Sequence, residues 1–325
     1  MSIRYGARSR PGTMVSTWLN ALVSGAAPSG GAYFAGGYDA GTDAGVATVD
    51  KFTFPIDTRT TLGTGLSAGR YGLGGAANSG VAAYFAGGRA AAGNADTVDK
   101  FAFSDDSRTT LGTGLSSVRK YLAGAANSGT AAYFAGGYAA AVTTVDKFAF
   151  SDDGRTTLGT GLSVARGYLG GAANSGTAAY FAGGSNAAGA EVTTVDKFAF
   201  SDDSRTTLGT GLSAATTQLA GAANSGTAAY FAGGYAAGDV TTVDKFAFSD
   251  DSRSTLGTGL SSARNYLAGA ANSGVAAYFA GGNTSAEVTT VDKFAFSDDG
   301  RTTLGTGLSG ATRLLAGAAN SDTLA

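Results

Sequence analysis

The chain has no cysteine and no histidine among its 325 residues, only three prolines, and few charges: 14% Asp, Glu, Lys and Arg together, with a net charge of −2. Without cysteine there are no disulfides, and the redox compartment leaves no trace in the sequence. Without histidine the commonest general base, nucleophile activator and transition-metal ligand is missing. A slightly acidic balance with no basic stripe gives no reason to expect a nucleic-acid partner. No apolar run reaches the length that spans a bilayer, and residues 1–20, although basic, lack the apolar stretch of a secretion signal. No cofactor, no metal and no membrane insertion are expected, and composition leaves the localisation open.

What is present is a repeat. Hydrophobic residues make up 43% of the chain and glycine supplies 53 positions, enough apolar material for a large core. Tyr-Phe-Ala-Gly-Gly begins at Tyr33, Tyr84, Tyr133, Tyr180, Tyr230 and Tyr278, and Val-Asp-Lys-Phe at Val49, Val98, Val145, Val195, Val243 and Val291. Such a period signals propellers, solenoids or arrays. Each Val stands 35 residues before the next Tyr, whereas each Tyr lies 16, 14, 12, 15, 13 and 13 residues before its own Val. All length variation therefore sits in one loop, just after the double glycine.

Each unit reads as four short strands. A Gly/Ala strand turns through Asn-Ser-Gly, a tight hairpin signal, into Ala-Ala-Tyr-Phe-Ala-Gly-Gly. The variable loop leads to Val-Asp-Lys-Phe-Ala-Phe, rich in aromatic and β-branched residues, and Ser-Asp-Asp-x-Arg turns into Thr-Thr-Leu-Gly-Thr-Gly-Leu. No segment has a 3.6-residue apolar period. The fold class is all-β, a β-propeller of four-stranded antiparallel blades, with the Gly/Ala strand innermost, where blades crowd at the axis. A β-helix is the rival, though its rungs are shorter and its repeats are not hairpins.

The unit resembles the kelch repeat across nearly the whole chain. The double glycine ends strand two, an aromatic stands in strand three (Phe52, Phe101 and equivalents), and an arginine precedes the next blade at Arg70, Arg119, Arg166 and Arg264. The kelch tryptophan of strand four is absent, with Thr-Leu in its place. The Gly/Ala-rich, near-uniform version is also similar to kelch-type repeats of bacteriophage virion proteins. That resemblance implies a virion or surface appendage and an extracellular setting.

Six units are complete, but the Gly-Ala-Ala strand occurs seven times, starting with Val23 to Ala27 and ending with the copy at Leu314 to Ser321. The reading is one domain over 1–325 with seven blades, residues 1–20 and 314–325 sharing the closing blade and Ile3 to Tyr5 pairing with the C-terminal strands. Closure of this kind leaves no sheet edge exposed. A six-bladed ring is the alternative.

Strands alternate in direction, so the variable loop and the Ser-x-x-Arg connection between blades share one face. Candidate binding residues there are Tyr38, Arg70, Arg89, Arg119, Tyr121, Tyr138, Arg166, Tyr168, Tyr235, Arg264 and Tyr266. Tyr and Arg are enriched in recognition surfaces; solvent drift, or tyrosines packed between blades, is the competing reading. On the opposite face, the pairs from Asp105-Asp106 to Asp298-Asp299 suggest turn formation rather than a metal site, because a calcium loop's dense oxygen ligands are absent. Arg108 and its equivalents are placed to neutralise those pairs. Asp-Lys of strand three, repeated six times, reads as a ring of inter-blade ion pairs between Asp of one blade and Lys of the next.

Function follows from these features. Active sites are unique, whereas this sequence repeats, and copper-oxidase chemistry lacks its histidines. The chain is read as non-enzymatic, recognising a surface glycan or a protein through the variable face. A purely structural subunit docking to other virion proteins is the alternative, and a sialidase-like glycan hydrolase a further one.

Overall fold

The computed structural model describes residues 30–321, and every helix or strand among them is a β-strand. Six four-stranded antiparallel sheets form the blades, accompanied by three two-stranded ribbons. Blade 2 runs outward from Gly74–Asn78 through Ala82–Ala86 and Val98–Ala102 to Arg108–Thr110. Blades 3 to 6 repeat it, with inner strands Ala123–Asn127, Gly170–Asn174, Ala220–Asn224 and Ala268–Asn272.

Blade 1 is composite and corrects the expected blade count. Its outer three strands are Gly31–Ala35, Val49–Thr53 and Thr58–Thr61, and its inner strand is the C-terminal Ala316–Asn320. The pairing runs from Gly31↔Asn320 to Ala35↔Ala316. The C-terminal strand therefore closes a ring of six blades, not seven. The proposed contribution of residues 1–20, including the pairing of Ile3 to Tyr5, lies outside the described residues.

The packing at the axis explains the choice of strand. Gly75, Gly124, Gly171, Gly221, Gly269 and Gly317 form a ring in which a Cβ on any member would lie 2.1–2.3 Å from its neighbour's carbonyl oxygen. Only glycine fits. Beside it, Ser79 N–H donates to Ser128 Oγ across the blades, at 3.0 Å, and the same bond recurs around the ring. Counting back from Tyr33 in the register of the complete units puts Ser24 at the glycine position and Pro28, which has no N–H, at the Ser79 position. The C-terminal copy, with Gly317 and Ser321, satisfies both requirements.

Six apolar clusters fill the six seams between blades. Successive strand residues point to opposite faces, so Tyr84 packs into the seam with blade 3 while Phe85 packs into the seam with blade 1. Second strands are buried on both sides, which is why they read as unbroken Ala-Ala-Tyr-Phe-Ala. Each buried aromatic contributes about 1.5–3 kcal/mol.

Ion pairs add register to these seams. Lys51, Lys100, Lys147, Lys197, Lys245 and Lys293 each reach the next blade at 2.6–2.9 Å. The ring of inter-blade pairs exists, but the partner is not the strand-three aspartate. It is the second aspartate of the Ser-Asp-Asp turn (Asp57 in blade 1), held at φ 55 to 57° and also accepting the hydroxyl of the preceding blade's tyrosine, as in Tyr84 to Asp153. The chain's left-handed turn pushes that carboxylate toward the seam, where the strand aspartate, facing the other way, cannot reach. These pairs are roughly a quarter exposed, so each is worth about 0–1 kcal/mol, well below the ring burial beside it.

Candidate binding face

The double glycine builds the variable face. Gly36 and Gly37 sit at φ 66 and 119°, conformations that favour glycine, and they turn the chain out of the second strand into the loop. Each loop is bridged to the connection arriving from the preceding blade, through Tyr38↔Arg313, Tyr71↔Arg89, Lys120↔Tyr138, Gly167↔Ser185, Thr217↔Tyr235 and Asn265↔Asn283. Loop and connection therefore form one surface, as the alternation of strand directions requires.

Four of the expected site residues do not face solvent. Arg70, Arg119, Arg166 and Arg264 are at most 1% exposed and turn into the seams, pairing with the strand-three carboxylates of Asp99, Asp146, Asp196 and Asp292 at 2.6–2.9 Å. Their guanidiniums also donate to main-chain carbonyls: Gly87 and Thr97 for Arg70, and Phe134, Phe181 and Phe279 for the others. Each aspartate is completed by the N–H and hydroxyl of the serine three residues before the arginine and by an outer-strand threonine, as with Ser67 and Thr110 at Asp99. Burial pulls each arginine's pKa down, against the partner carboxylate, which raises it. These arginines are structural. Outer-strand arginines correct a second expectation: Arg108, Arg205 and Arg301 approach the same strand aspartates, not the turn pairs. The first turn aspartate instead accepts a backbone N–H two residues on, as Asp105 does from Ser107.

The tyrosines do come together. Tyr38 meets Tyr71 edge-on at 5.4 Å, Tyr71 lies 6.5 Å from Tyr121, Tyr121 stacks on Tyr168 at 3.9 Å, and Tyr168 is 5.8 Å from Tyr266. The Arg313 guanidinium closes the circuit, 4.9 Å from the Tyr38 ring and 5.9 Å from Tyr266. Five tyrosines and one arginine thus encircle the mouth of the axis. Tyr138 packs on Tyr121 and Tyr168 from outside, Lys120 lies over Tyr121, and Glu287 pairs with Arg313 at 3.2 Å. Burial raises the pKa of Tyr168 and Tyr266, so both stay neutral hydroxyls at physiological pH. Tyr235 is exposed on its own loop, apart from this circuit.

Beneath the rings lies a second circuit that the sequence reading did not identify. Gly72, Tyr121, Tyr168, Gln218, Tyr266 and Leu314 each donate a backbone N–H to the previous member's carbonyl, at 2.6–2.9 Å, around the axis. All six have φ between 57 and 70°, a strained region for bulky residues that costs about 1–3 kcal/mol each and concentrates at functional positions. Gln218 and Leu314 could have been found by aligning the second residue after each connection's Arg or Thr.

Between blades 1 and 2 the face opens into a groove of ≈ 630 Å³ lined by Tyr38, Asp43, Tyr71, Arg89 and small residues including Gly45, Gly69 and Ala90 to Ala92. That volume suits a small-molecule or sugar ligand. Arg89 is exposed, and the Tyr38 hydroxyl donates to Asp43, which raises the Tyr38 pKa. The groove thus offers two aromatic faces, a cation and a carboxylate. No protein-family model matches the chain, and no curated protein is detectably similar to it.

Proposed function

We propose that this β-propeller is a non-enzymatic recognition module, resembling kelch-type virion or surface-appendage proteins, that grips a surface glycan or a protein through its variable face. The observation that carries this reading is the groove flanked by Tyr38, Tyr71 and Arg89 at the edge of the tyrosine circuit. Aromatic faces stack on the apolar faces of sugar rings, and aromatic and arginine side chains anchor protein partners. The strained backbone under the circuit supports the same reading. Burial of Arg70, Arg119, Arg166 and Arg264 supports the non-enzymatic part, since a sialidase-like centre needs arginines open to its substrate.

The test is binding of the labelled protein to a panel of glycans and bacterial-surface proteins, beside Tyr71→Ala and Arg89→Ala variants of unchanged circular dichroism. Each substitution is expected to weaken binding by about tenfold or more, the loss typical of a hot-spot residue. A folded wild type that binds nothing on the panel would favour the structural-subunit reading. Equal binding by both variants would move the site elsewhere.

A further inference from the structure

Among the described residues, four seams hold a buried guanidinium, and the seam between blades 6 and 1 is built for one that none of these residues supplies. Its connection reads Ser309-Gly310-Ala311-Thr312, with threonine where Arg70, Arg119, Arg166 and Arg264 stand. The corresponding space is a cavity of ≈ 200 Å³ bounded by Phe34, Gly36, Thr48, Asp50 and Thr312. Phe34, Gly36, Thr48 and Asp50 are the blade 1 counterparts of the residues whose oxygens receive guanidinium elsewhere: Phe134 and its equivalents, Gly87, Thr97, and the strand aspartates.

Asp50 keeps the rest of the pattern. It is 3% exposed. Its Oδ2 accepts from the N–H and hydroxyl of Ser309 at 2.7 and 2.8 Å, and its Oδ1 from Thr61 at 2.6 Å. Arg59 approaches only Oδ1, at 3.6 Å. Among the described residues, Oδ2, the oxygen that carries the guanidinium in the other four seams, has no cation within ion-pair distance. A buried carboxylate short of its usual counterion is an energetic debit that an incoming cation relieves.

The mouth is open and acidic. Ser309 and Gly310 are exposed, and Asp39 lines the cavity. Thr216 makes the same exchange beside Asp244, but there Ala214 stands in place of Gly310 and Ala236 in place of Asp39. We propose that the blade 6–blade 1 seam is a binding site for a guanidinium group, presented by an arginine side chain of another chain that enters past Gly310. Four internal copies show the geometry that group adopts, with a planar fork matched to a carboxylate and to carbonyl oxygens.

Calorimetric titration of the full chain tests this with three probes: the peptide acetyl-Gly-Arg-Gly-amide, methylguanidinium, and the uncharged isostere N-methylurea. The wild type is expected to bind the peptide saturably and at least as tightly as methylguanidinium, and to bind N-methylurea at least tenfold more weakly. T312R, which fills the cavity from within, is expected to lose at least tenfold in affinity for both cationic probes, while T216R binds as the wild type does. Absence of saturable binding by the wild type, equal affinity for N-methylurea, or undiminished binding by T312R would overturn the site. Binding of methylguanidinium without the peptide would overturn the assignment to an arginine side chain. None of these outcomes depends on the tyrosine groove.

Discussion

Arg119 and Arg155 carry the same charge, yet the fold uses them differently. Arg119 is fully buried against Asp146, whereas Arg155 is exposed and donates to the Gly114 carbonyl. Removing one partner of a buried pair strands the other charge, so Arg119→Ala is expected to cost about 3–5 kcal/mol in denaturant unfolding. Arg155→Ala is expected to stay within about 0.5 kcal/mol, as ordinary surface changes do; equal effects would contradict the burial described. Position 119 was legible in the sequence as a repeated arginine, but its direction was not. A side chain on a connection can point outward or turn under the loop, and the sign of that choice was set by Asp146, 27 residues further on in the next blade. The available hint was that Asp recurs in all six third strands on the side away from Lys.

Protonation belongs to the same scale. Burial raises the pKa of Asp99, Asp146, Asp196 and Asp292, but hydrogen bonds and the arginines outweigh it, so the net shift is downward. A depressed folded-state pKa stabilises the fold above the unfolded value of about 3.9, and that stability is lost as pH falls through the folded values. The strand tyrosines shift the other way. Burial first, then the hydrogen bond to the turn aspartate, raises Tyr33, Tyr84, Tyr133, Tyr180 and Tyr278, and Tyr230 is pushed up to about 12. Their contribution is complete below about pH 10, the unfolded value, and is lost as pH rises beyond it. Tyrosinate absorbance and circular dichroism followed together above that pH should show these six ionising only as the sheets melt. Ionisation near pH 10 with intact sheets would refute the burial.

Among the strands, the inner one is the least tolerant. In Gly124→Ala the new Cβ would lie 2.1 Å from the Gly75 carbonyl, a backbone atom with nowhere to go. Overpacking of this kind costs about 1–3 kcal/mol or more. Gly112→Ala, in the exposed segment after the outer strand, meets nothing within 4 Å and has no positive φ. It is expected to be neutral or to stabilise by up to about 1 kcal/mol by stiffening the unfolded chain. Thermal melts of the two variants separate these outcomes, and similar melting temperatures would mean that the axial ring is not close-packed. The four-strand unit, the inner position of the Gly/Ala strand and the pairing of loop with connection were all readable from spacing and residue size. Which glycine each contact needs was not, because glycine fills so many positions that only the axial register singles out those six.

For the molecule as a whole, the decisive feature is closure through blade 1. Seven Gly/Ala copies compete for six inner positions, and counting copies favours the larger ring. The mismatch at Ser24 and Pro28 was visible, but its weight emerges only when the glycine contacts and the serine N–H bonds around the axis are known. Closure also sets the functional geometry, because the tyrosine circuit joins Tyr38 of blade 1 to Arg313 at the end of blade 6. Ala32 and Ala319 lie directly opposite each other across the closing pair and belong to the same seam, and directly opposed residues bring their Cβ atoms to about 4.5–5.5 Å. The chain contains no cysteine, so any disulfide in an Ala32→Cys, Ala319→Cys variant must be the introduced one. Mild oxidation followed by peptide mass mapping should recover the 32–319 crosslink in nearly all molecules, with a folded signal unchanged from the wild type. Free thiols at both positions in folded protein would contradict the six-bladed ring and reopen the seven-bladed arrangement.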